Sequence, residues 1–313
     1  MGAGRGTTLD YTFVSMEIRK LVARRIAVIG VASGYGAGDP ACQDGSEVVR
    51  SLHSLSDLEA VDDGLHWDEP VRAAQPVPRD PIDIVQGVAT RVADRIGQHL
   101  AQGDFPLVIG GDHSCAIGTW SGVKRALGAP ARLGLIWIDA HMDSHTVVTS
   151  ATRHIHGMPL ASLLGHGDPR LTGVAGGGAK LLPADVCLIG VRSFESEEAA
   201  LLKQLGVRVY FMHEVRRRGL SAVFAEALRL VGEHTAGYGI SIDLDALDPA
   251  EEPGVGTPVP GGLLRADMVD ALALAHGDDK LLAVEIVEYN PYRDERFVTA
   301  RAIHYLCQSL IGI

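Results

Sequence analysis

Cysteine is scarce, and it is absent from the positions where a disulfide framework or a thiolate metal site would need it. Cys42, Cys115, Cys187 and Cys307 stand singly, with no CxxC pair, as expected of reduced thiols in a cytosolic protein. Basic residues are in deficit: 28 Lys and Arg against 39 Asp and Glu leave a formal charge of −11. A general nucleic-acid surface would need a basic stripe. The acidic balance is compatible with a cationic substrate, although net charge alone decides little. The opening MGAGRGTTLD has neither the apolar core of a signal peptide nor the Ser or Thr of a myristoylation signal. No apolar run reaches membrane-spanning length, and no internal repeat is found. The expectation is a soluble, cytoplasmic protein with no nucleic-acid or membrane partner.

Apolar bulk, by contrast, is plentiful. In 313 residues, 46% are hydrophobic, enough for a large core and too many for disorder. Short runs rich in β-branched residues recur as RIAVIGVA, PLVIGG, RLGLIWID, DVCLIGV, VRVYF, GYGISID and LLAVEIV. These suit strands buried on both faces. Helical segments fall between them at 82–102, 114–127, 196–205, 220–234, 265–276 and 294–311. The alternation predicts an α/β fold, a parallel sheet with helices on both faces. The proline- and acid-rich stretch 62–81 and GVAGGGAK at 173–180 read as surface loops. Neither is long enough for a domain boundary, so 1–313 is read as one domain, with 1–24 a less ordered extension.

Ligands of open parallel sheets bind beyond the carboxyl ends of the strands, and three strands here end on charged groups: PLVIGGDHS, GLIWIDAHMDSH and GYGISIDLDALDP. In an extended segment residues two apart share a face. Asp139, His141 and Asp143 would point together, as would Asp243 and Asp245, with His113 joining from GGDHS. Four carboxylates would not stay ionised together in a partly buried site without a cation. The oxygen-rich set suits manganese or another hard to borderline ion better than structural zinc. A single Asp at a strand end is more often a cap or turn residue, the reading given to Asp112, Ser114 and Asp248.

GGDHS, DAHMD and SIDLDALDP closely resemble the three signatures of the arginase, or ureohydrolase, family. GTPVPGGL at 256–263 and EYNP at 288–291 extend the resemblance from about Ile26 to the C-terminus. It implies a three-layer α/β/α fold around a mainly parallel, eight-stranded sheet, one strand more than the patterning reveals. It implies two Mn2+ ions per subunit. One would be held by His113, Asp139, Asp143 and Asp243, the other by Asp139, His141, Asp243 and Asp245. Such a pair lowers the pKa of a shared water. His156 of HIHGMP would shuttle a proton, Glu288 would pair with the substrate's guanidinium, and Asp143 is counted with them as catalytic. Glu285 is read as the more superficial acid of that strand.

The implied reaction is hydrolysis of L-arginine to L-ornithine and urea by a homo-oligomer, trimer or hexamer. Agmatine, another guanidino acid, N-hydroxyarginine and formiminoglutamate are the alternative substrates. A deacetylase-like amide hydrolase and a catalytically silent relative are competing classes, disfavoured by the full set of carboxylates and by His156. Glu195 and Glu198 of RSFESEE fall where the family binds the α-amino group, although ESEE reads equally well as the acidic first turn of a helix. Thr152 and His154 fall near the loop that holds the α-carboxylate. His145 stands where arginases carry an Asn, the main departure from the family pattern. Extended geometry would put it about 6–7 Å beyond Asp143, so it is expected at the pocket mouth near the α-carboxylate and off the metals.

Overall fold

Seven of the nine strands in the computed structural model, which describes residues 25–52, 55 and 64–311, lie on the seven apolar runs. They are β1 (Ile26–Ala32), β4 (Phe105–Ile109), β5 (Leu133–Ile138), β6 (Val186–Val191), β7 (Arg208–Phe211), β8 (Gly237–Asp243) and β9 (Leu281–Val287). The other two, β2 (Leu65–Trp67) and β3 (Val71–Arg72), lie in the stretch expected to be a loop. At three and two residues they are too short for side-chain alternation to register. The expected extension 1–24 lies outside the described residues.

The sheet runs β2-β1-β4-β9-β8-β5-β6-β7, with β3 also paired to β1. Every strand pairing is parallel. Each central strand is buried on both faces, which explains the unbroken apolar runs. Successive residues feed opposite cores. Ile136, Ile138, Ile240 and Ile242 pack under the helices Leu220–Gly232, Arg265–Leu272 and Val298–Ile311. Leu135, Trp137 and Val108 pack under Pro81–Gln102 and Ala116–Leu127. The result is the expected three-layer sandwich, with a sheet of nine strands.

Local chemistry sets the helix ends. Asp80 caps Pro81–Gln102 by accepting from the Ile82 N–H at 3.0 Å, Pro81 opens the first turn, and Gly103 closes it at φ 81°. Its apolar stripe Ile84, Val88, Val92 and Ile96 is buried. The segment expected at 114–127 begins as a 3-10 turn, His113–Cys115, before the α-helix Ala116–Leu127. The helix expected to 234 stops at Gly232, and that expected to 276 becomes a 3-10 turn after Leu272.

This topology makes β4, β9, β8 and β5 consecutive neighbours at the centre of the sheet. The three charged strand ends, and the end of β9 that carries Glu288, therefore open onto one spot. At the end of β4 the chain turns so close to β1 that a Cβ on Gly111 would collide with the Ser33 carbonyl. The second glycine of GGDHS is a steric requirement.

Candidate metal centre and active site

All six expected ligands meet. Nδ1 of His113 lies 3.3 Å from Asp139 Oδ2, 3.0 Å from Asp143 Oδ2 and 3.1 Å from Asp243 Oδ2. Nδ1 of His141 lies 3.0 Å from Asp245 Oδ2 and 3.5 Å from Asp139 Oδ1. Two ligand sets thus share Asp139, one oxygen facing each. His113, Asp139, Asp143, Asp243 and Asp245 are buried, and His141 is partly exposed.

Strand alternation is not what brings them together. β5 ends at Ile138, and Asp143 adopts left-handed backbone with φ 46°, so the extended geometry assumed for 139–145 does not hold. The same turn recurs instead at three strand ends. Asp112 accepts from the Ser114 N–H, Asp139 from His141 N–H and Asp243 from Asp245 N–H, at 2.9, 2.6 and 2.8 Å. Each first aspartate caps a tight turn, which presents His113 one residue on at β4, and His141 and Asp245 two residues on at β5 and β8. Asp112 has only the capping role, also taking the Gly36 N–H. Asp248 likewise binds the N–H groups of Ala250 and Gly262.

The electrostatics call for a cation. Burial would lower the pKa of His113, but Asp139, Asp143 and Asp243 override it and raise it well above the ordinary value. Burial, followed by the charge of Asp139, pushes Asp143 up to about 6. Burial and the charges of Asp245 and Asp139 also raise Asp243. Lone pairs of nitrogen and oxygen face one another at about hydrogen-bond distance. Only protons or metal ions among them make that arrangement favourable, so the donor set fits divalent cations.

Behind the ligands lies a supporting layer that sequence reading missed. Nε2 of His113 contacts Ser241 Oγ at 3.0 Å, and that hydroxyl donates to Glu285 Oε2 at 2.8 Å. Glu285 is therefore no surface acid. It is fully buried beneath Trp120 Nε1 and Thr119, and burial raises its pKa. Trp137 stacks on His113, ring centres 4.1 Å apart, and donates to Asp139 Oδ2 at 2.9 Å. Thr257 Oγ1 donates to Asp245 Oδ2 at 2.9 Å. The Arg192 guanidinium binds the carbonyls of Asp245, Ala246, Leu247, Val259 and Pro260, joining the loop of Asp245 to that of Thr257. Ser241 and Trp137 each precede a ligand by two residues on a strand, a signal available in the sequence.

Glu288, also left-handed at φ 63°, is buried beside this centre. Its Oε1 accepts from the His113 N–H at 2.9 Å and meets His156 Nδ1 at 3.0 Å. Its Oε2 accepts from the Cys42 thiol at 3.3 Å. Burial would lower the pKa of His156, but Glu288 raises it to about 9. Burial, reinforced by Glu288, keeps the Cys42 thiol protonated.

The remaining expected residues lie further out. Thr152 and His154 sit on an exposed loop, and the His154 ring lies 5.9 Å from that of His156. Glu195 and Glu198 form the capping box of the helix Ser196–Leu205. The acidic-first-turn reading is therefore correct, and the same carboxylates also contact His145. Its Nε2 is 3.1 Å from Glu195 Oε2 and 3.5 Å from Glu198 Oε2.

A buried cluster of Asp and His side chains able to hold metal at the carboxyl edge of a parallel sheet, with an imidazole–carboxylate pair alongside, fits a metal-dependent α/β hydrolase. The chain belongs to the arginase family, whose model matches residues 24–312. It is 45% identical over 222 residues to the arginase of Bacillus caldovelox, covering 71% of this chain and 73% of that protein. The native crystal structure of that arginase superposes with a TM-score of 0.87 at 37% identity, covering 93% and 99% of the two chains. The Entamoeba histolytica arginase in complex with L-ornithine superposes at 0.85 and 29% identity, covering 93% and 99%. Among the described residues no helix is long and apolar enough to cross a membrane.

Proposed function

We propose that this chain hydrolyses L-arginine to L-ornithine and urea at the site formed by β4, β5, β8 and β9. The observation that carries the reading is the pair of ligand sets sharing Asp139, with the His156–Glu288 pair beside them. His113, Asp139, Asp143 and Asp243 would hold one ion, and Asp139, His141, Asp243 and Asp245 the other. The oxygen-rich donor set favours Mn2+. Two such ions would supply a water acidified enough to act as nucleophile at neutral pH.

The chain's own residues do the rest. Glu288 keeps a negative charge against the substrate's guanidinium and orients its carbon. His156, held protonated at neutral pH by Glu288, donates to the nitrogen of the leaving amine as the carbon–nitrogen bond breaks. Asp143 would serve the reaction through the ion it would hold. Thr152 and His154 border the approach to the site. A homo-oligomer, trimer or hexamer, in the cytoplasm completes the proposal, by analogy with the family.

The test is urea release by manganese-loaded protein from a panel of guanidino compounds, with metal analysis alongside. Two ions per chain and preference for L-arginine are expected. A protein carrying both ions that released urea from none of the panel would overturn the reading.

A further inference from the structure

The arginase family carries an Asn where this chain has His145, and sequence position alone assigns that residue to the substrate's carboxylate. The geometry argues otherwise. The His145 N–H donates to the Gly157 carbonyl at 3.0 Å, tying the residue to the segment that carries His156. On one side of the ring, Nδ1 meets Thr149 Oγ1 at 3.1 Å, and that oxygen is itself fixed by the Thr146 N–H at 2.9 Å. The ring therefore presents Nε2, and Nε2 faces acids: Glu195 Oε2 at 3.1 Å and Glu198 Oε2 at 3.5 Å. Glu198 cannot swing away. It is buried, and its carboxylate accepts the N–H groups of Ser144 and Glu195, each at 3.1 Å.

A substrate carboxylate entering this triangle would meet two carboxylates and be repelled. A primary ammonium meets the opposite situation, because it has three N–H donors and no acceptor. When an ammonium enters, the ring can carry its proton on Nδ1 toward Thr149, and Nε2, Glu195 and Glu198 then offer one acceptor for each of the three.

Resting on the amidinohydrolase reading above, we propose that His145 is a specificity-determining residue for the substrate's ammonium group. It completes a three-acceptor cradle with Glu195 and Glu198 and does not read the carboxylate.

The experiment compares wild type with His145→Ala and His145→Asn on three substrates. L-Arginine has both groups, agmatine keeps the ammonium and lacks the carboxylate, and 5-guanidinopentanoate keeps the carboxylate and lacks the ammonium. Loss of one charge-assisted hydrogen bond should raise KM for arginine and agmatine by the same factor, on the order of tenfold. KM for 5-guanidinopentanoate should be unchanged, and kcat should move little on any of the three. A rise on arginine and 5-guanidinopentanoate that spares agmatine would restore the carboxylate role and overturn the proposal. Equal losses on all three would reduce His145 to a structural residue. Inhibition constants for L-ornithine, 1,4-diaminobutane and 5-aminopentanoate give the same comparison without turnover, with binding of the first two expected to weaken and of the third to hold. A third tightly bound metal ion per chain, lost in His145→Ala, would assign the cradle to a metal and also overturn the proposal. Wild type inactive on every guanidino compound would refute the amidinohydrolase reading itself, a result separate from any His145 effect.

Discussion

Replacing Ser241 by alanine tests whether the metal centre is oriented from behind. The Ser241 hydroxyl donates to Glu285 Oε2, so it can accept only the Nε2–H of His113. That keeps a proton on Nε2 and makes Nδ1, which faces Asp139, Asp143 and Asp243, the nitrogen that would give up its proton to bind an ion. Alanine removes the acceptor in a fully buried setting that leaves little space for water. Loss of such a partner behind a ligand weakens metal binding by roughly 10–100-fold, or about 1.4–2.7 kcal/mol at 1.36 kcal/mol per decade. Glu285 Oε2 keeps Trp120 Nε1 as a donor, so the main unpaired group is His113 Nε2–H. The metal-free fold should lose about 1–3 kcal/mol on its account. Competition with a fluorescent chelator measures the first quantity, and urea melts of the apoprotein the second. A variant binding both ions within about twofold of wild type would refute the reasoning, because Ser241 would then be a bystander.

Three other perturbations have defined outcomes. His156→Ala should lower kcat while both ions stay bound, with partial rescue by imidazole; loss of metal would contradict its place outside the ligand set. Arg192→Gln leaves several carbonyls around Asp245 without a donor, and should cost on the order of 3 kcal/mol and weaken metal binding; wild-type melting and metal content would disprove the latch. Glu252 is buried against Arg265, and burial pushes its pKa from 4.5 up to about 7. The folded chain thus holds that proton more tightly than the unfolded one, so the associated stability is present below about 4.5 and lost as pH rises through 7. Glu252→Gln should gain on wild type between pH 5 and pH 8 in urea melts, and a difference independent of pH would reject the assignment.

The legible parts of the sequence were those whose signal is local. Strands of four to seven residues buried on both faces announce themselves as apolar runs, whereas β2 and β3 are too short to do so. The convergence of the candidate ligands was legible because Asp-x-His and Asp-x-Asp recur at strand ends. Same-face alternation does not account for the pattern, since Asx turns rather than continued strand bring the second residue round. Partnerships across long sequence separations were not legible. Cys42 meets Glu288 across 246 residues and His113 meets Ser241 across 128. Glu285 looked superficial because nothing near it in the chain reveals that Thr119, Trp120 and Ser241 converge on it.

The left-handed backbone at Asp143 and Glu288 has a consequence for anyone evolving this protein. Aspartate tolerates that conformation better than glutamate, but such positions still cost of order 1–3 kcal/mol each. Glycine would adopt the same dihedrals freely and would also relieve two buried acids. A library sorted only for survival at high temperature should therefore drift to glycine at 143 and 288, enriching robust proteins with a dismantled centre. The same library sorted for turnover should keep both acids and find its stabilising changes elsewhere. Sequencing the two pools would show, position by position, where durability and activity have been selected against each other.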